Sequence, residues 1–245
     1  MEPRQIISTP AMPTRVAASE ARELTILFAD IRGFSRIAEQ LDPLALHWYV
    51  HRFLTEMTEV ILRFRGTVDK YIGDSVMAYW GAPRFDPDQE DQALYAAFAM
   101  VAAARALDGE FKVSGHPRLE VSVGVNTGMV QIGYLGPNES GVPTVIGDAV
   151  NLAARFQSMA HALDVVILAG ARTAKGARSI QCRCLGEVAI RGRQSSALVY
   201  EPLGPVAAVS VRSQDFYPCS YPENRFDELR SPLPNLDVPD LRLDL

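Results

Sequence analysis

The chain predicts an α+β domain, an antiparallel or mixed sheet with helices packed on one face. Three observations carry this. β-rich runs fold back on themselves at short Gly-containing bends, Gly73-Asp74 and Thr127-Gly128, which is hairpin chemistry. Longer segments between them repeat apolar residues at three- and four-residue steps, the period of an amphipathic helix. The resulting order, β-α-β-β-α-β followed by further α and β pieces, contains hairpins that a purely parallel sheet cannot have, since every parallel connection crosses over.

Each element follows from its own residues. Leu24 to Ala29 is an apolar strand that ends on Asp30 and runs into Arg32-Gly33-Phe34-Ser35. A helix is expected from about Ser35, with Ser35 as its N-cap. Leu46, Tyr49, Val50, Phe53, Met57, Val60, Ile61 and Phe64 form one buried helical face, and Arg65-Gly66 stops it. Thr67 to Trp80 is a hairpin turning at Gly73-Asp74. Gln89 to Leu107 is an alanine-rich helix after Asp86-Pro87. Leu119 to Gly128 and Met129 to Tyr134 read as two strands bent at Thr127-Gly128. A helix runs from Gly147-Asp148 to about Met159, "DVVILA" is a buried strand, and two last strands lie near Leu185–Ile190 and Ala197–Tyr200.

Composition bounds the partners. With 245 residues, 48% hydrophobic and 22% charged, the chain reads as one globular domain with tails. Residues 1–22 are expected to be a flexible leader, 23–202 the domain, and 203–245 a Pro-rich acidic tail, disordered or docking through its "LPNLDVPDLRLDL" ending. A net charge of −5 argues against nucleic acid or an anionic membrane as the main partner, while a polyphosphate held through metal ions stays compatible. The apolar run Ala93–Ala104 stops at Arg105, too short to span a bilayer. No secretory signal is visible. Cys182, Cys184 and Cys219 form neither a disulfide framework nor a zinc set and read as packed or free thiols. A reducing, cytoplasmic setting fits.

Four groups of polar residues carry possible chemistry. Asp30 and Asp74 converge if the first strand pairs with the hairpin, making an oxygen site for Mg²⁺ or Mn²⁺; singly, each is equally a turn or cap residue. The amides around Gly33, Phe34 and Ser35 suit a phosphate, or an ordinary strand-to-helix turn. Strand alternation places Lys70 with Val68 and Ile72, opposite Asp69 and Tyr71, so its ammonium needs a partner. Asp148, Asn151 and Arg155 line one helical stripe, either a solvated face or a means to orient a ribose and neutralise a phosphorane. His47 and His51, at i and i+4 without an accompanying metal-motif Glu, read as surface or interface residues. Trp48 and Trp80 read as core or interface aromatics.

Taken together and in order, "FADIRGFS", "DKYIGDSVMAYWGAP", "VGVNTGMVQIGYLG" and "TVIGDAVNLAAR" closely resemble the class III nucleotide cyclase catalytic domain over residues 23–202. The resemblance implies a ferredoxin-like α+β protomer, a head-to-tail homodimer with sites at the interface, and conversion of a nucleoside triphosphate to a 3′,5′-cyclic monophosphate and pyrophosphate. It implies that Asp30, Asp74 and the Ile31 carbonyl hold two Mg²⁺ or Mn²⁺ ions per site. Lys70 and Thr144 would read the purine, Asn151 would orient the ribose and Arg155 would stabilise the transition state. Gly33, Phe34 and Ser35 would cradle phosphate, and Arg191 of "IRGR" stands, more loosely, at a phosphate-contacting position. Lys70 can donate to adenine N1 and Thr144 can accept from N6, whereas guanine reverses both roles; ATP is therefore the expected substrate. One departure is Pro143, where relatives commonly have an aromatic, which bears on loop packing at the dimer seam. The alternatives are an ATP-binding regulatory module without turnover and a guanylate cyclase.

Overall fold

The computed structural model of the chain describes residues 20–135, 142–190 and 196–206. The expected leader up to residue 19, the tail from 207, Cys219 and Arg191 lie outside the described residues. β1 (Glu20–Ile31) begins, and the last strand ends at Pro205, a few residues beyond the expected bounds of 23 and 202.

After β1 come α1 (Phe34–Gln40), α2 (Pro43–Arg63), the hairpin strands β2 (Thr67–Ile72) and β3 (Ser75–Trp80), and α3 (Gln89–Val113). β4 (Val121–Leu135) and β5 (Val142–Ile146) precede α4 (Asp148–Ala160), β6 (Ile167–Gly170), α5 (Ala171–Gly176), β7 (Ile180–Val188) and β8 (Ala197–Pro205). The described strands form one mixed eight-stranded sheet in the order β2-β3-β1-β4-β6-β8-β7, with β5 pairing the end of β4. Only β4 and β6 run parallel.

α2 starts where its sequence says it should. The Asp42 carboxylate accepts from the Leu44 and Ala45 amides at 2.9 and 3.0 Å, and Pro43 follows it, a capped start that spends no donor. The α2 face Tyr49, Phe53, Met57, Val60 and Ile61 packs with α3 against Leu27, Ala29, Val76, Ala78 and Trp80. Trp80 is fully buried and donates its indole N–H to Phe64 O at 2.7 Å; Trp48 is partly exposed against Phe111 and His116. Asp91, buried near the start of α3, accepts from the Arg178 and Ser179 amides at 3.0 and 2.9 Å and ties α3 to the chain entering β7.

Helices cover both faces of the sheet, not one. Leu24, Ile26 and Phe28 alternate with the first set and pack with Met77, Val130 and Val145 under Ala149 and Ala153 of α4. A strand buried on both sides has no polar face to announce its orientation, which is why β1 reads as a plain apolar run.

The expected bend at Thr127-Gly128 is absent. β4 is one strand of fifteen residues, and its pairing with β1 runs unbroken through Thr25↔Thr127 and Leu24↔Gly128. The glycine serves packing instead: a Cβ on Gly128 would stand 2.9 Å from Ala149 Cβ, and one on Gly124 would stand 2.1 Å from Gln157 N and 2.3 Å from Ala153 O. β4 therefore presents bare backbone on which α4 lies. β5 had no separate strand signal; Pro143 lies within it, opposite Tyr134. Cys182 and Cys184 are free, and burial pushes the Cys182 thiol up to about 12. Among the described residues no helix is long and apolar enough to cross a membrane.

Candidate active site

The carboxylate pair forms at one end of the sheet. β1 pairs with β3 as far as Ala29↔Val76, so Asp30, the next residue of β1 and still paired with β4, follows at the end of the hairpin whose turn carries Asp74. Gly73, at φ 63°, makes that turn, a backbone state that glycine enters without strain. Asp30 Oδ1 and Asp74 Oδ2 are both buried and neither has a hydrogen-bond partner. Burial, then the facing Asp74 carboxylate, pushes the Asp30 carboxyl up to about 8, against a lowering hydrogen bond from the Ile31 amide. Two orphaned carboxylate oxygens that repel each other are what a hard divalent cation would satisfy. Mg²⁺ or Mn²⁺ fits this donor set. No group of three or more His, Cys, Asp or Glu gathers among the described residues, so further ligands would be backbone or substrate oxygens, as the resemblance assigned to Ile31.

The loop after Asp30 differs from expectation in one respect. Gly33, not Ser35, holds the N-cap position of α1, in the left-handed region at φ 67°, and no side chain caps the helix. The Arg36 and Ile37 amides bond to Gly33 O at 2.9 and 3.4 Å. A Cβ on Gly33 would meet nothing within 4 Å; the glycine answers the dihedral rather than a lack of space. Phe34 packs on the core and holds the turn in place, while Ser35 is exposed at its first helical positions.

Lys70 and Thr144 meet by a route the sequence concealed. Regular alternation would place Asp69 and Lys70 on opposite faces. The β2–β3 register shifts between Val68↔Ala78 and Lys70↔Met77. This bulge breaks the alternation. The Lys70 Nζ stands 2.8 Å from Asp69 Oδ2 and donates to Thr144 Oγ1 at 2.6 Å. Thr144 in turn donates to Asp69 Oδ2 at 2.9 Å. Asp69 is thus a member of the cluster that sequence reasoning missed. An acidic residue next to a lysine was visible, but the bulge that turns both toward Thr144 was not.

α4 carries the remaining pair. Its buried stripe is Ala149, Ala153, Phe156 and Ala160, and the close contact at Gly124 fixes its height over β4. Asn151 is exposed and Arg155 half-buried. Neither side chain has a hydrogen bond or ion pair among the described residues, so both are free to engage a ligand. The structure thus unites Asp30 with Asp74, and Lys70 with Thr144. Lys70 and Asp74 share one hairpin. His47 and His51 are exposed and stack on each other at 6.2 Å.

A sheet of this order, with a buried carboxylate pair at a hairpin turn and a lysine–threonine contact on the same hairpin's β2, has the architecture of a nucleotide cyclase catalytic domain. Residues 16–200 match the adenylate and guanylate cyclase catalytic domain, and the chain belongs to that family, class III of the nucleotide cyclases. It is 32% identical over 197 residues to an adenylate cyclase of Anabaena cylindrica, covering 76% of this chain and 38% of that protein. It is 31% identical over 195 residues to adenylate cyclase 1 of Rhizobium meliloti, covering 79% of this chain and 29% of that protein. The chain therefore matches well under half the length of either relative. The crystal structure of the adenylyl cyclase CyaB from P. aeruginosa superposes with a TM-score of 0.72 at 30% identity, covering 82% of this chain and all of that one. That of the guanylyl cyclase Cya2 gives 0.69 at 26% identity, covering 79% of this chain and 98% of that one. The fold is the nucleotide cyclase fold.

Proposed function

We propose that the chain is an adenylate cyclase, converting ATP to 3′,5′-cyclic AMP and pyrophosphate as a homodimer. The observation that carries the choice of ATP is the Lys70–Thr144 contact at 2.6 Å, which sets an ammonium donor beside a hydroxyl acceptor, the complement of adenine N1 and N6. A site built on such hydrogen bonds rejects the reversed pattern of guanine by orders of magnitude.

In this reading the ribose 3′-oxygen attacks the α-phosphorus in line and the bond to the β-phosphate bridging oxygen breaks. Asp30 and Asp74, with the Ile31 carbonyl, would hold two Mg²⁺ or Mn²⁺ ions, which when bound would supply Lewis acidity for the 3′-hydroxyl and the pyrophosphate leaving group. Asn151 orients the ribose. Arg155 faces the charge that gathers on the α-phosphoryl oxygens, and Arg155→Ala lowers turnover by roughly 10²–10³-fold, by analogy with the loss of one preorganised donor. The Gly33-Phe34-Ser35 amides cradle the polyphosphate, with Arg191 as a further phosphate contact. The claw of one protomer works with the purine reader, Asn151 and Arg155 of its partner, so a two-fold dimer closes two identical sites.

The test is incubation of the purified protein with Mn²⁺ and either ATP or GTP, followed by product chromatography. Cyclic AMP from ATP, lost in Asp30→Asn, is expected. Cyclic GMP from GTP in place of cyclic AMP from ATP identifies a guanylate cyclase. ATP binding with no product from either nucleotide identifies a non-catalytic module.

A further inference from the structure

We infer that Asp69 is the residue that sets base selectivity, acting through Thr144 and Lys70 without touching the base itself. This rests on the adenine reading above and deepens it.

A threonine hydroxyl is ambiguous. It offers one donor and two acceptor lone pairs, and its rotor turns to suit the partner. A free Thr144 would accept from adenine N6 or donate to guanine O6 with equal ease, and would select neither. Asp69 removes that freedom. Its carboxylate, with a side chain only 1% exposed, accepts the Thr144 proton at 2.9 Å, and an ionised carboxylate can only accept. One Thr144 lone pair receives Lys70 Nζ at 2.6 Å. What remains for a ligand is a single lone pair, an acceptor.

The same carboxylate acts on Lys70. An ammonium has three donors. One goes to Thr144 and the Asp69 contact at 2.8 Å takes another, leaving one for a base. The pocket is thereby reduced to one donor and one acceptor in fixed places, the pattern of adenine N1 and N6. Asp69 reaches both partners only because the β2 bulge puts consecutive residues within ion-pair distance. Burial makes the arrangement stiff, since Thr144 is 4% exposed and a charged acceptor holds its donors more tightly than a neutral one.

The experiment compares Asp69→Ala, Asp69→Asn and wild type in the full chain. Affinities for fluorescent ATP and GTP analogues are measured without turnover, then kcat/KM for each nucleotide with Mn²⁺. Asp69→Ala is expected to narrow the ATP:GTP preference at least tenfold in both measurements. Asp69→Asn, whose amide oxygen can still accept from Thr144, is expected to keep most of it. Asp69→Ser, too short to reach Thr144, replaces Asp69→Ala if that variant does not melt cooperatively. In a Thr144→Val background, removing Asp69 should change the preference less than it does in wild type, because only its hold on Lys70 is left to lose. A merely structural Asp69 would weaken both nucleotides alike and leave the ratio intact, which overturns the inference. If wild type itself binds ATP and GTP equally, the adenine reading falls first, and that outcome is distinct from an unchanged ratio in the variant.

Discussion

Gly124→Ala separates the placement of α4 from the identity of its side chains. The added Cβ falls 2.1 Å from Gln157 N and 2.3 Å from Ala153 O. Both are backbone atoms, so no rotamer change relieves the overlap. Since non-bonded heavy atoms settle at about 3.5–4.0 Å, the helix must lift from β4 by on the order of 1 Å. Overpacking of this kind costs about 1–3 kcal/mol, and a clash against rigid backbone belongs at the upper end. For a domain of this size 1 kcal/mol moves Tm by about 2–4 °C, which gives a fall of about 6–12 °C. Asn151 and Arg155 ride on the displaced helix, and a 1 Å misplacement can cost about 10²-fold in rate. Lys70 and Thr144 sit on β2 and β5, so KM for ATP should change little. Calorimetry and steady-state kinetics on the same preparation check both halves. A Tm within about 2 °C of wild type would mean that α4 is not seated on Gly124, and the account of how Arg155 is positioned would be wrong.

Other outcomes follow from features described above. Asp30, raised to about 8, keeps a proton in the folded protein that the unfolded chain has released; metal-free stability should therefore fall as pH rises from the ordinary carboxylate range toward 8 and be fullest below it. Thermal melts in chelator should show that slope, Asp30→Asn should flatten it, and Mn²⁺ should raise Tm more on its alkaline side. Mixing inactive Asp30→Asn with inactive Arg155→Ala should restore about a quarter of wild-type activity, because half of randomly assembled dimers carry one intact site; no recovery after subunit exchange, confirmed by co-purification of differently tagged chains, would refute shared sites. Asp91→Ala leaves the Arg178 and Ser179 amides without their acceptor and should cost about 2–4 kcal/mol in urea denaturation, with turnover per folded molecule unchanged.

Most elements were legible because their signals are local. The α2 face at three- and four-residue steps, its stop at Arg65-Gly66 and the Gly73-Asp74 turn each depend on residues within a few positions of one another. What stayed hidden depends on partners far along the chain. Gly128 reads as a bend until Ala149 is placed against it. Ser35 reads as a cap because Gly33 offers no side chain to compete for the role. Burial of β1 on both faces erases the alternation that would have shown where α4 packs. The site divides in the same way. Asp30 and Asp74 could be paired in advance, since one strand and one hairpin suffice to join them. Asp69 could not, because a bulge is set by the register of two strands and not by the residue that occupies it.

The triangle of Asp69, Lys70 and Thr144 bears on more than which base is chosen. A lysine in water wanders among many rotamers, and immobilising one on binding costs about 0.5–1.5 kcal/mol of affinity. Here folding has already stilled it at two anchor points, 2.6 and 2.8 Å away, so an arriving nucleobase meets a rigid template and spends none of its binding on taming a mobile chain.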